Sequence, residues 1–478
     1  MKTWGNQRGN ARSIRVDPLS AAIVAVCFAL APTHATSHPG GTIVVDNCAD
    51  NGTGSLRQAL ADAPDGGTVD LSALACSVIT LGSHLRVNQD DLDVIGPGSG
   101  ALTIDAGTLD RVFVHAGLGL LTIDDLALAN GTYRGGLYFE ANGGCVFSSG
   151  SLSMHGVTIA GCTLTSEFDP AVSGVKTGGC ISAQQDVTLV DTRIENCTAT
   201  VGDEDELDGG GLYASGSMTL LRSSVTGVRT RSSITLGVGA NSLGGFTMKY
   251  STIANNVDVG DTAIDQFSQG GGVQANAPVY LLGSTIAENH ANSGGGAIFV
   301  NGAIDIRNST VAANTAAERA GVLIAISPGA SIANSTIAFN RSEGSTAGGL
   351  SIYDSGVQLV STIIANNTAG AAARDLGASG VSSISGFHNL IRVSTLATPP
   401  DTLTDDPQLR SLHANGGYTR TLSLAETSPA IDAGDNSFDF ANDQRGSGFP
   451  RVVGSAADIG AFEYAPDLET IFWDGFDA

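Results

Sequence analysis

Residues Ser251–Asn256 read "STIANN", and near-copies follow at Ser284 ("STIAEN"), Ser309 ("STVAAN"), Ser335 ("STIAFN") and Ser361 ("STIIANN"). Aligning each phrase on its last apolar residue gives the anchors Ile159, Ile194, Val225, Ile253, Ile286, Val311, Ile337 and Ile364. Successive anchors are 25 to 35 residues apart. Seven residues before each anchor stand Leu152, Val187, Met218, Phe246, Val279, Ile304, Ala330 and Val357; five before stand Met154, Leu189, Leu220, Met248, Leu281, Ile306, Ile332 and Leu359. The sets Leu121, Ile123, Leu128 and Leu85, Val87, Leu92 read as two earlier copies. Thirteen before most anchors comes another apolar residue, preceded by glycines.

Apolar residues two apart mark a strand with one buried face. Each unit therefore holds two or three short strands broken by Gly- and Asn-rich corners. One unit cannot bury its apolar face alone, so the units stack, as in solenoids. A strand-only period near 25 suits one turn of a parallel β-helix. A propeller blade needs about 40 residues, and a leucine-rich repeat has another consensus. The expected fold is all-β: a single-stranded parallel β-helix. The anchor isoleucines fill its core. Asn256, Asn289, Asn314, Asn340 and Asn367, three after their anchors, form a ladder at a corner, where Asn tolerates left-handed turns and bonds its stacked neighbours.

Composition agrees. The chain has 478 residues with 63 Gly, only 14 Pro, 5% aromatic and 15% charged residues. That is neither disordered nor a disulfide-dense miniprotein. Residues 1–35 read as a secretory leader. Lys2, Arg8, Arg12 and Arg15 form a basic start, "LSAAIVAVCFALA" (Leu19–Ala31) is too short to span a membrane comfortably, and "THA" ends at a cleavage site after Ala35. Its removal moves the net charge from −24 to −27, which repels nucleic acid and anionic lipid. No other apolar run approaches spanning length.

Six cysteines remain after the leader, an even count that in an exported chain implies disulfides. Cys162 and Cys197 hold the Asn-ladder slot of consecutive coils. Cys145 and Cys180 both lie fourteen before their anchors. Stacking predicts Cys145–Cys180 and Cys162–Cys197, leaving Cys48–Cys76. Zinc is disfavoured, since there is no CxxC and no clustered His.

The remaining divisions are an N-terminal cap (36–84), coils (85–370), a C-terminal capping region (371–464) and a tail (465–478). "GSLRQALADAPDGG" (Gly54–Gly67) reads as a short helix N-capped by Ser55, with Leu56, Ala59 and Leu60 on one face, plugging the first coil.

The opening "GSLRQAL" with "DGGTVDLSALACSVITL" and "VIGPGSGALTIDAG", the "GGG…STIANN" coils, and the closing "DPQL…NGGYTRTLSL…SPAIDAGD…DQRG…DIGAFE" resemble bacterial right-handed parallel β-helix (pectate-lyase-like) surface proteins of the choice-of-anchor type. The resemblance covers nearly all of the chain after the leader. Its closing block is the most specific part. It implies an exported pectate-lyase-like fold, often with a variable sorting tail, and no shared catalytic set.

Three insertions fall at one phase of the repeat: Thr163–Thr177, Thr198–Asp208 and Val257–Gln269. They should project from one edge, which in repeat proteins is often the binding edge. They are acidic (Glu167, Asp169; Asp203, Glu204, Asp205, Glu206, Asp208; Asp258, Asp261, Asp265). Asp203, Asp205 and Asp208 are the calcium candidates, set against a plain solvated loop; no other cofactor is expected. A lyase on this fold would need an Arg or Lys base, and a hydrolase two or three spaced carboxylates. Arg222, Arg307, Arg319 and Arg341 have no visible partners, His155, His290 and His388 are scattered, and Asp124–Asp125 stands alone. No catalytic residue is named. The expected role is a secreted or cell-surface structural or adhesion protein binding polysaccharide or surface glycan, with a lyase or glycoside hydrolase acting on acidic polysaccharide as the alternative.

Overall fold

The computed structural model describes residues 40–135, 142–166, 174–202, 205–260, 267–344 and 346–466. The leader, Glu167, Asp169, Asp203, Glu204, Asp261, Asp265 and the tail from residue 467 lie outside them. The chain winds as a parallel β-helix with four faces per coil. Within one coil, Val146–Ser148 belongs to face I, Ser151–His155 to face II, Thr158–Ala160 to face III, and Thr163–Ser166 with Val175–Thr177 to face IV. Face II stacks 13 strands, from Thr42–Val44 to Ser383–Phe387; face III stacks 12, from Val78–Thr80 to Leu390–Ile391.

The repeat is one side of the coil with a corner at each end. Face III pairs anchor on anchor: Ile159 with Ile194, Ile253 with Ile286, Val311 with Ile337, Ile337 with Ile364. All of these anchors are buried. The residue before the phrase's Ser turns left-handed (Arg222 φ 48°, Tyr250 φ 50°, Asn334 φ 45°). The Ser hydroxyls then form their own ladder: Ser223 N–H donates to Ser251 Oγ at 3.0 Å and Ser284 N–H to Ser309 Oγ at 3.1 Å. At the other corner, Asn256, Asn289, Asn314 and Asn340 each donate Nδ2–H to the next amide oxygen at 2.9–3.0 Å. The left-handed residue is the one before each ladder Asn, not the Asn itself (Asn255, Glu288, Ala313, Phe339 and Asn366, φ 57–60°). Each such non-Gly turn costs about 1–2 kcal/mol, which the buried ladder bonds offset. Asp375 ends the ladder, accepting from Asn367 N at 2.8 Å and Nδ2 at 3.0 Å.

Two assignments change. Leu121, Ile123 and Leu128 are in register, but Leu85 and Val87 pair with Phe113 and His115 on face I, and Leu92 takes the slot below Leu121 on face II. The matching anchor is Ile104, because the stretch Gly96–Ala101 lengthens that coil's corner. The disulfides are Cys145–Cys162 and Cys180–Cys197, within coils, not Cys145–Cys180 and Cys162–Cys197. The stacking itself is as read: Cys145 N–H donates to Cys180 O. Stacked parallel residues hold their Cβ atoms about 4.8 Å apart and aim them alike, beyond the roughly 3.5–4.5 Å a disulfide spans. Across one coil the two corners point at each other, with Cα atoms 5.4 and 5.8 Å apart. Cys48–Cys76 is formed.

Helix α1 (Leu56–Asp62) buries Leu56, Ala59 and Leu60, with Ser55 Oγ accepting from Gln58 N–H at 3.3 Å. Its last carbonyls, Leu60 O and Ala63 O, accept from Gln89 Nε2.

The closing block does not sit on the end of the stack. The coils continue to Ile391, and residues 405–466 fold back along the outside of face III. That is why the phrase's outward Thr and Ala are small and buried (Thr285, Ala287; Thr310, Ala312; Thr336, Ala338). Gln444 of "DQRG" donates to Thr285 Oγ1 and accepts from Thr310 Oγ1, and Ala461 N–H donates to Thr336 Oγ1 at 3.0 Å. The block has its own buried charges. Asp443 accepts from Arg445 Nη2 at 2.7 Å and from Glu463 N at 2.8 Å; Arg445 lies between the rings of Phe449 and Phe462. The most specific motif of the sequence is therefore internal scaffolding. Among the described residues no helix is long and apolar enough to cross a membrane.

Candidate functional site

Face IV is where the insertions lie, and it is split into two runs of strand that project as a fin. One side of the fin stacks Thr163–Ser166, Thr198–Thr200, Arg229–Arg231 and Val257–Asp258; the other stacks Val175–Thr177, Glu206–Asp208, Ile234–Leu236 and Phe267–Gln269. Leu164, Ala199, Val201 and Leu207 pack between them. The second side returns to face I through glycines at Gly178, Gly209, Gly237, Gly270 and Gly295, all with φ 61–70°. A Cβ at Gly209 would meet Leu212 O at 2.0 Å, so only glycine permits this fold of the fin onto face I.

The result is a narrow L-shaped groove whose floor residues Ser182, Tyr213, Asn241 and Gln274 are all buried. Its floor is the outward residue of each face I strand: Ser182, Tyr213, Asn241, Gln274, Phe299, Leu323, in register coil by coil. Its wall is the outward side of the fin: Thr177, Asp208, Leu236 and Gln269 at depth, with Val175, Ile234 and Phe267 exposed along the rim. Thr177 Oγ1 and Ser182 Oγ, 2.7 Å apart, join wall to floor. Farther along, Phe267, Gln269, Glu318, Arg319 and Leu323 line a hollow of about 170 Å³.

The polar groups of this groove are poorly matched internally. Asn241 is fully buried, yet neither Oδ1 nor Nδ2 makes a hydrogen bond; Gln274 Oε1 and Asp208 Oδ1 are likewise buried and unpaired. Burial, reinforced by the charge of Glu206, pushes the Asp208 carboxyl up to about 7; Asn241 is near enough to pull it back in part, without hydrogen-bond geometry. Burial and Asp208 also raise the Tyr213 phenol. From Ser182 to Gln274 no Lys or Arg occupies the wall or floor positions. Lys176 points into the fin, 3.6 Å from Asp205.

The calcium candidates separate here. Asp203 lies outside the described residues. Asp205 is buried and engaged by Lys176, Ser166 Oγ and Gly174 N, while Asp208 faces the groove. Glu206 and Asp208 are a Glu-x-Asp pair on a strand. Reading Thr198–Asp208 as a loop hides it, although Glu206, Leu207 and Asp208 show the polar–apolar–polar alternation.

A second polar column runs along the corner of faces II and III. Asp124 and His155 are register neighbours. His155 Nε2 is 3.7 Å from Asp191, which Arg222 holds with two bonds of 2.7 and 2.6 Å. Burial pushes Asp124 up to about 6. His155, Arg222 and Asp124 are thus not isolated. Of the other candidates, Arg307 is bonded to Asp305 at 2.9 Å and lies over the Phe438 ring, and His290 bonds Thr315 Oγ1 at 2.9 Å. His388 offers its backbone N–H to Asp401.

No protein-family model and no curated protein matches the sequence. Among solved structures, the chain is similar to "Crystal structure of pectate lyase Pel9A": 13% identity over 89% of this chain and 97% of that one, with a TM-score of 0.37. No residue role is carried across from it.

Proposed function

We propose that this is an exported, surface-associated β-helix of the choice-of-anchor kind that binds polysaccharide along the groove between the fin and face I. The observation that supports the reading is the floor itself: aromatic, hydroxyl and amide side chains repeating once per coil, about 4.8 Å apart, with buried polar atoms lacking partners. Aromatic surface with a few convergent polar groups is the usual make-up of a ligand cleft. The three disulfides accord with an oxidising compartment. The test is calorimetric titration of the protein with a panel of soluble oligosaccharides. Binding that weakens in Tyr213→Ala supports the reading; no heat with any glycan sinks it.

One observation favours a second reading. Glu206 and Asp208 share the wall on one strand, with Cα atoms about 6.7 Å apart, and a glycoside hydrolase needs two carboxyl groups at roughly 5–9.5 Å. Asp208, protonated near neutrality, would serve as the acid. New reducing ends that disappear in Asp208→Asn would establish it. A lyase is disfavoured, since this stretch of groove offers no Lys or Arg base.

A further inference from the structure

We infer that the far end of the groove is an anion subsite, where Arg319 pairs with a single carboxylate or sulfate on a glycan that is otherwise uncharged. This rests on the groove reading above and names its ligand class. Three residues before each face I strand the wall turns left-handed, and from Gly178 to Gly295 the turning residue is glycine. At Gly295 a Cβ would lie 2.8 Å from Ile298 O and 2.9 Å from Phe299 Cβ, against the floor. The next coil keeps the turn, at φ 56°, but places Arg319 in it. Side chains other than glycine avoid that backbone, and a residue held in it is a pointer to function. Arg319 lines the hollow of about 170 Å³ together with Phe267, Gln269, Ser293 and Leu323. Among the described residues its guanidinium has no ion pair or hydrogen bond. Glu318, on the same hollow, gives its carboxylate to Thr346 Oγ1 at 2.9 Å instead.

A half-buried guanidinium beside a hollow is a planar fork of donors, matched by a carboxylate or sulfate. Gln269 and Ser293 add an amide and a hydroxyl, and Phe267, 43% exposed, an aromatic surface for the sugar ring. The rest of the groove limits how much charge the ligand carries. Glu318 stacks in turn on Gly294, Gln269, Leu236 and Asp208, so the acidic wall of Glu206 and Asp208 lies four coils, about 19 Å, away. A polyuronate carries a carboxylate on each ring and would lay several of them against that wall, on a chain of net charge −24. A glycan with one anionic group brings it to Arg319 alone. Arg111, at the other end of the groove, is already engaged: it lies 3.6 Å over the Tyr133 ring and donates Nε–H to Asn142 O at 2.9 Å.

The experiment is a calorimetric comparison of probes of matched length: cellopentaose, cellopentaose carrying one carboxylate at either end in turn, its singly sulfated form, and pentagalacturonate. A singly charged oligomer is expected to bind at least about tenfold more tightly than the neutral one, as a charge-assisted bond implies, and the advantage should shrink at high salt. A preference between the carboxylate and sulfate forms supports the inference and names the anion. Arg319→Gln should abolish the advantage while leaving the neutral oligomer's affinity unchanged, and Arg319→Lys should keep part of it. Arg319→Gly should lose the advantage yet melt no lower than wild type, because glycine suits the turn; a residue kept for stability would show the reverse. Equal binding of the neutral and singly charged oligomers, or tightest binding of pentagalacturonate, overturns the inference and leaves glycan binding standing. Silence with every probe overturns both. An advantage that survives in folded Arg319→Gln removes Arg319 from the explanation.

Discussion

The side-chain amide of Gln444 donates to Thr285 Oγ1 at 2.8 Å, although 159 residues separate the two. The same side chain reaches Thr419 Oγ1 at 2.9 Å and accepts from Thr310 Oγ1 at 2.5 Å. One buried glutamine thus ties two coils to the closing block. Its contacts give the outward Thr of the repeated phrase a structural meaning.

Gln444→Ala leaves the buried Thr310 hydroxyl without its acceptor, while Thr285 Oγ1 and Thr419 Oγ1 keep their bonds to Arg420 O and Gly283 O. The expected cost is about 1–3 kcal/mol, for one orphaned group. Loss should be local first. Hydrogen exchange should rise on face III from Thr285 to Ala312 and across the closing block, while face II stays protected. Uniform exchange with unchanged stability would mean the block is not clamped there.

The Asn ladder makes a separate claim. Asn314 Nδ2 donates to Asn340 Oδ1 and Ile286 O, and its Oδ1 accepts from Asn289 N and Nδ2. Asn314→Ala breaks the ladder in its middle and should lower stability by about 3 kcal/mol. Asn314→Asp keeps the acceptor but loses the donor and buries a charge, so it should melt lower still at neutral pH than at pH 4. Thermal scans of both variants at the two pH values decide it.

Much of this was legible because inward side chains recur at a fixed phase. Ile159 to Ile364 align on sequence alone, and the ladder positions follow. What the phase cannot convey is geometry across a coil. Cys145 and Cys180 were correctly stacked, but which corner faces which is not a one-dimensional property. The groove was half visible. The insertions marked its edge, yet Tyr213, Asn241 and Gln274 sit in strands that read only as an apolar residue after glycines. Asp124, His155 and Asp191 meet because coils 31 to 36 residues apart close in register, and uneven coil lengths hide that. The closing block has no period at all.

Acid should stabilise the closing block. Burial, with Asp458 adding repulsion, pushes Glu463 up to about 7 from 4.5, and the residue is 1% exposed. Between those values the folded state holds a proton that the unfolded chain releases. Stability therefore falls as pH rises from about 4.5 to 7 and levels off above, by on the order of 3 kcal/mol from this residue. Glu463→Gln should flatten that part of the curve. Denaturant midpoints at pH 5 and pH 8 give the comparison; a wild type more stable at pH 8, with the variant following it, would rule the mechanism out.

The disulfides offer a direct check on the coil geometry. Peptide mapping without reduction should link Cys145 to Cys162 and Cys180 to Cys197. Each bond closes a span of 17 residues, worth about 3 kcal/mol in the chain-entropy model. Replacing Cys145 and Cys162 together by Ser removes one bond cleanly, so the denatured variant, produced without residues 1–35 and thus without Cys27, should show no free thiol. Replacing Cys145 and Cys180 together instead strands Cys162 and Cys197. Their Sγ atoms lie within 4.8 Å of each other, but as stacked residues they hold their Cβ atoms too far apart to bond. Two thiols should then titrate on denaturation, and stability should fall by about twice as much as in the first variant. Zero thiols in this second variant would show that bonding between coils is allowed, and the reason given for bonding within coils would have to be abandoned.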